Sequence, residues 1–245
     1  MPFRFPRLTP TVKKLLIVLA AAFVALAIVQ NLVGLNLFGY LALDVGSASQ
    51  RIGWAWQPLT YWIAFPPVPD ALLSFGLQLL FLYFFLAPFE EAFGAKRTLQ
   101  LSAVGVLAFA LAGLALSLAL SPFTGVVALT HPLYGSAGIA LAAFGAFPVI
   151  AGNREILFMF VIPMKVWTAI VLGLGVSALL AVLARDPFIL ATYAAALGAG
   201  VGYAKWLVRP RKPPSRTKPR PRRRSGPDLK VVRGGADDDR PRYLN

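Results

Sequence analysis

Hydrolytic chemistry needs a nucleophile, a base to activate it and donors aimed at developing charge, and few residues in this sequence could supply them. There is no Cys and a single His, His131. Thiol catalysis, disulfides, thiolate metal sites and sites built from several histidines are therefore excluded. The long apolar stretches hold essentially no Asp or Glu, which argues against a paired-carboxylate site and against a proton-coupled pump or ion channel. No metal and no cofactor is expected. What is left is alcohols, among them Ser136, in HPLYGSAGIALAAFGAF at 131–147. His131 precedes it by five residues and reaches it only through a turn that the sequence does not specify.

The same segment carries small residues at Gly135, Gly138, Ala142 and Gly145. Spacings of three and four place them on one face of a helix, where a second membrane helix can approach to backbone contact. The last apolar stretch, ILATYAAALGAGVGYAKW, repeats the device with Ala196, Gly198, Gly200 and Gly202. Such seams predict two helices meeting at membrane depth.

The elements that must position these residues follow from composition. The chain has 245 residues, of which 58% are hydrophobic and only 14% charged, the balance of a polytopic membrane protein. Stretches long enough to span lie at about Lys14 to Leu35, Ala71 to Phe89, Leu99 to Leu120, Leu133 to Ile150, Val166 to Ala184 and Phe188 to Val208. The expected fold class is an all-α membrane protein with six spans. The first run follows Arg4, Arg7, Lys13 and Lys14, as a secretory signal would, but its apolar part is too long and its small residues sit mid-run. It reads as an uncleaved first span.

Basic residues separate into two sets, as cytoplasmic retention of Lys and Arg requires. One side carries the N-terminal cluster, Lys96, Arg97, Arg154, Lys165 and the tail; the other carries only Arg51 and Arg185. Both termini are then cytoplasmic. The organisation expected is a basic N-terminus at 1–13, a membrane domain at 14–208 and a tail at 209–245. Short loops and the lack of Cys are consistent with a bacterial inner membrane. The tail has 13 Lys or Arg against 4 Asp, net +9, with seven prolines. It is too polar to form a core. Next to a membrane it attracts anionic headgroups; it lacks the interleaved aromatics that stack on bases, so nucleic acid is not the expected partner. The acidic patch Asp237 to Asp239 reads as solvated.

Between the first two spans, 44–70 holds Trp54, Trp56, Tyr61, Trp62 and several prolines. It is expected to lie at the interface with its rings at headgroup level. Glu90 or Glu91, where the second span ends, is expected to pair with Lys96 or Arg97 or to cap the next helix.

Three local patterns resemble the rhomboid intramembrane proteases. GSAG at 135–138 resembles their GxSG; LFLYFFLAPFEEAFGAKRTL at 80–99 is similar to the exit of their second span; and the basic turn followed by IPMK at 162–165 is similar to the approach to their fifth. PLTYWIAF at 58–65 also resembles the run into the family's second span, after a large half-embedded first loop. The resemblance implies a six-span bundle in which a short fourth helix rises into the centre and meets the sixth. It also implies where the chemistry would sit. The nucleophile position is Ala137, the general base of the family's HxxGxxxG falls on Tyr193, with Ala196 and Gly200 in register, and the oxyanion pair falls on Ser74 and Gln78.

A methyl group cannot attack a carbonyl, and a phenol is a poor proton acceptor near neutrality. Ser74 and Gln78 are compatible with a remnant oxyanion site, although a polar pair near the start of a span also suits an interfacial or packing role. Ser136 is the alternative nucleophile, but one step around a helix turns its side chain by about 100°. The resemblance therefore implies a pseudoprotease. Inactive rhomboids and the related derlins bind transmembrane segments of other proteins, so client membrane proteins and the bilayer are the expected partners. A protease using Ser136, and a transporter or structural membrane protein, are the competing readings.

Overall fold

A computed structural model describes residues 6–44, 55–124, 132–152, 155–158, 162–184 and 187–209. The chain divides after Arg209, and the unit Pro210–Asn245 lies outside the described residues. So do Arg4, Arg51, Trp54, His131, Arg154 and Arg185.

The apolar stretches are helical. In chain order the helices are α1 Pro10–Ile28, α2 Leu37–Leu41, α3 Gln57–Thr60, α4 Ala71–Phe93, α5 Ala95–Thr124, α6 Ala137–Ala151, α7 Val166–Ala184 and α8 Pro187–Val208. Among the described residues, Pro10–Val33, Ala71–Phe93 and Ala95–Ala119 are long and apolar enough to cross a membrane. That length and composition are those of an integral membrane protein.

Local sequence accounts for the boundaries. Pro10 opens α1 at its first turn, where the missing N–H costs nothing. The helix loosens into a π-helical turn at Val29–Val33 and ends at Gly34, whose φ of 76° few other residues adopt. Gly94, at φ 81°, breaks α4 from α5 with a single residue between them.

The all-α expectation needs one amendment. Strands β1 Glu155–Phe158 and β2 Ile162–Lys165 form an antiparallel ribbon, with Leu157 opposite Pro163 and Glu155 opposite Lys165. Each strand of a two-stranded ribbon has an unpaired edge, so Pro163 is tolerated. It still marks the boundary, because α7 starts at Val166, directly after β2.

Helix α6 is the enclosed element. Its Ile139, Ala140, Ala142, Ala143, Phe144 and Ala146 are all buried, and it packs against α4, α5, α7 and α8. Two seams explain how it fits. A side chain at Gly138 would meet Phe109 Cβ at 2.9 Å and the Gly105 carbonyl at 2.8 Å, so α5 and α6 touch backbone to backbone. A side chain at Gly145 would run into the Leu197 carbonyl, and one at Gly200 into that of Ala142, so α6 and α8 do the same. Ala196, one turn before Gly200, is fully buried. Gly198 and Gly202 have open space where a side chain would go.

Gly135 is a correction. It precedes α6 in the left-handed region at φ 77° and is a turn residue rather than part of the helical seam. Its N–H donates to the carbonyls of Ala64 at 2.8 Å and Tyr61 at 3.0 Å. This approach requires glycine: a Cβ would stand 2.9 Å from the Phe65 ring.

The segment before α4 is likewise more than an interfacial belt. Trp56 is about half exposed, as expected, but Tyr61 is fully buried. Its hydroxyl donates to the Val106 carbonyl on α5 at 2.8 Å, and its ring stacks on Phe109. Leu43 and Leu133 exchange both backbone hydrogen bonds at 2.8 Å. The chain on either side of α3 thus straps the turn that starts α6. A buried phenol needs a partner for its O–H, and a carbonyl of a neighbouring helix provides one.

Glu90 also departs from expectation. It pairs with neither Lys96 nor Arg97 and does not cap the next helix. Its carboxylate accepts from the backbone N–H of Thr11 at 3.0 Å and of Val12 at 2.9 Å, and from the Thr9 hydroxyl. Thr9 occupies the N-cap of α1 but makes no side-chain cap of its own. The first turn of α1 would leave its N–H groups unpaired, and α4 supplies the anion they favour. Tyr83 of α4 holds the same end by donating to the Pro6 carbonyl.

Candidate functional site

A cavity of about 420 Å³ opens among α4, α5, α6 and α8 and the turn before α6. Ser74 and Gln78 reach it from α4, Ala137 from the first residue of α6, and Tyr193 from α8. The four positions singled out in the sequence therefore face one space. Thr192 of α8, Tyr134 of the turn and the rings of Phe65 and Phe109 complete much of its wall.

Position follows from the fold. Ser74 and Gln78 are four apart on α4 and so share a face. The strapped turn sets where α6 begins, and hence where Ala137 points. The contact of α8 with α6 at Gly200 and Gly145 fixes the depth of Tyr193, seven residues before Gly200.

The donors and acceptors are unevenly satisfied. The Ser74 hydroxyl donates to the Ala71 carbonyl of its own helix at 2.8 Å, so its proton is already engaged. Thr192 does the same toward Phe188 at 2.7 Å. Gln78 Oε1 is buried and has no hydrogen-bond partner. An acceptor left unpaired away from water costs about 1–3 kcal/mol, which makes Gln78 the most conspicuous polar group in the wall. Beside the turn, a Cβ at Gly135 would come within 3.1 Å of that oxygen.

Tyr193 is held against Phe109, ring centroids 6.0 Å apart. Phe65 makes edge contacts with Tyr134 at 5.6 Å and Phe75 at 5.0 Å, and Phe75 stacks on Phe23 of α1 at 4.5 Å. The wall is thus backed by an aromatic cluster that ties α1 to the turn before α6.

Ser136 is not among the lining residues. It is the N-cap of α6, 3% exposed, and makes no side-chain cap bond. Ala137, the next residue, is the one that borders the cavity. His131 lies outside the described residues. Among the described residues there is no group of His, Cys, Asp and Glu that could hold a metal.

Thr192, Tyr134 and Phe65 were not singled out from the sequence. Thr192 adjoins Tyr193 and Phe65 closes PLTYWIAF, but nothing in the spacing places either against α4. Chemically the site offers acceptors, two phenols and aromatic surface. It offers no described nucleophile paired with a base.

No protein-family model and no curated protein matches the chain.

Proposed function

We propose that this chain is a rhomboid-like pseudoprotease: a six-span membrane protein with both termini in the cytoplasm that keeps the helix packing and lacks the Ser/His dyad. The observation that carries the reading is the shared cavity. Ser74, Gln78, Ala137 and Tyr193, assigned from the resemblance alone, come from three separate helices and line one space. The buried α6 in contact with α8 supports the same reading. The basic tail would rest on anionic headgroups, and the membrane would be a bacterial inner membrane.

Its function in this reading is to bind transmembrane segments of client membrane proteins in the cleft between α4 and α7. Two features support that location. Helix α7 is peripheral: Ile170 packs with Phe144 and Leu197, while Val171, Val176, Leu179, Val182 and Leu183 are exposed. On the α4 side, Phe81 and Phe85 meet Phe144, with centroids 5.6 and 4.9 Å apart, and form an aromatic floor. An apolar client helix would displace lipid there and pack on rings.

The test is photocrosslinking in the native membrane from Phe85 and Val171, with Ile17 on α1 as a lipid-facing control. Defined membrane proteins captured at the first two positions and not at Ile17 would support the reading. Equal capture at all three, or none, would end it.

A further inference from the structure

We infer that the cavity beside Gln78 is a binding site for an uncharged, hydroxyl-bearing apolar molecule, a lipid alcohol drawn from the bilayer. The wall selects this chemistry in three steps. Its volume, about 420 Å³, falls in the range of roughly 300–1,000 Å³ that holds a small organic ligand or a head group, and its rings offer apolar surface. None of its described lining residues carries a charge, so the described wall offers an ion nothing to neutralise it at membrane depth.

The polar atoms then decide what the ligand must bring. Gln78 Oε1 is buried without a partner, and an amide oxygen only accepts. The hydroxyls of Ser74 and Thr192 have given their protons to helix carbonyls, so toward the cavity they too present acceptor oxygen. Beside Gln78 such a wall asks for a donor, while the hydroxyls of Tyr134 and Tyr193 can give a proton in return. An ester, ketone or ether has none, and an ammonium finds no counter-charge among the described lining residues. An alcohol O–H meets the requirement and leaves its apolar body to Phe65, Phe109 and Tyr193. This site is separate from the client cleft, because no α7 residue is among the described lining of the cavity, and it stands whether or not the rhomboid reading does.

Two sources of the hydroxyl are distinguishable: a diacylglycerol head and a free long-chain alcohol. Purified full-length protein in phosphatidylcholine vesicles is labelled with a diazirine diacylglycerol, a diazirine hexadecanol, or the methyl ether of each. Labelled peptides are then read by mass spectrometry. The expected result is labelling of cavity-lining residues on α4 and α8 by at least one alcohol, about tenfold above its ether, the worth of one hydrogen bond. Whichever alcohol labels names the source. Gln78→Leu should erase the preference for alcohol over ether, and Ala137→Phe, which fills the space, should erase labelling at the cavity. Equal labelling by alcohol and ether in the wild type, labelling only at lipid-facing residues, or no labelling would overturn the inference. The wild-type comparison needs no variant to fold.

Discussion

At position 137 a methyl group borders a cavity where the resemblance implies a nucleophile, and at 193 a phenol stands where it implies a base. A single-letter difference can be read from sequence, but what surrounds it cannot. The amide at Gln78 was legible as a polar residue four positions after Ser74; its buried, unpartnered oxygen was not, because that depends on the turn at Gly135 coming against α4. Glu90 is the clearest residue-scale departure. An acid at the end of an apolar helix, followed by Lys96 and Arg97, suggests a local ion pair. The structure instead sends it to the start of α1, some 80 residues away in sequence, where three donors wait. Hydrogen bonds to a charged group contribute about 1.5–3 kcal/mol each in exchange for leaving donors bare. Glu90→Ala is therefore expected to destabilise the protein by about 2 kcal/mol or more, read as a lowered thermal midpoint in detergent. Glu91→Ala, at an exposed neighbour, should leave the midpoint nearly unchanged, and equal effects would show that the bonds from Glu90 to the start of α1 contribute nothing.

At the scale of elements, helix positions were legible because apolar runs of spanning length can do little else in lipid. Which small residues form the seams was only half legible. Periodicity put Gly135 with Gly138, Ala142 and Gly145, yet helix α6 begins at Ala137 and Gly135 belongs to the turn before it. The pairing of β1 with β2 is not legible in the sequence, because four-residue strands leave too short a pattern to separate from a helical approach. The seam itself makes a sharp prediction. A methyl at Gly200 would run into the Ala142 carbonyl, while at Gly202 it meets open space. Gly200→Ala should cost about 1–3 kcal/mol by overpacking, and Gly202→Ala should be neutral or slightly stabilising through helix propensity. Unfolding of the two variants side by side in the same detergent distinguishes them. The strap predicts a third effect. Tyr61→Phe removes the bond to the Val106 carbonyl, which keeps the bond of its own helix, costing about 1 kcal/mol and loosening the turn before α6. Faster hydrogen exchange at Gly135 and Leu133, with α7 unchanged, is the expected signature.

At the scale of the whole molecule, the chain divides after Arg209 into a helical unit and a basic tail. The charge asymmetry that predicts both termini in the cytoplasm is a property of sequence, and reporters test it. A fusion after Lys96 should report a cytoplasmic location and one after Ser121 an extracytoplasmic one; the reverse would invert the bundle. In the proposed function the scaffold is rhomboid-like and its chemistry is gone. The most direct measurement is fluorophosphonate labelling of the reconstituted wild type, Ser136→Ala, and the double variant Ala137→Ser with Tyr193→His. A silent wild type and a labelled double variant are expected, since a hydroxyl and an imidazole would then face one cavity from positions 137 and 193. A labelled wild type that Ser136→Ala silences would contradict it, because the nucleophile would then be the buried N-cap of α6 and the protein a working protease.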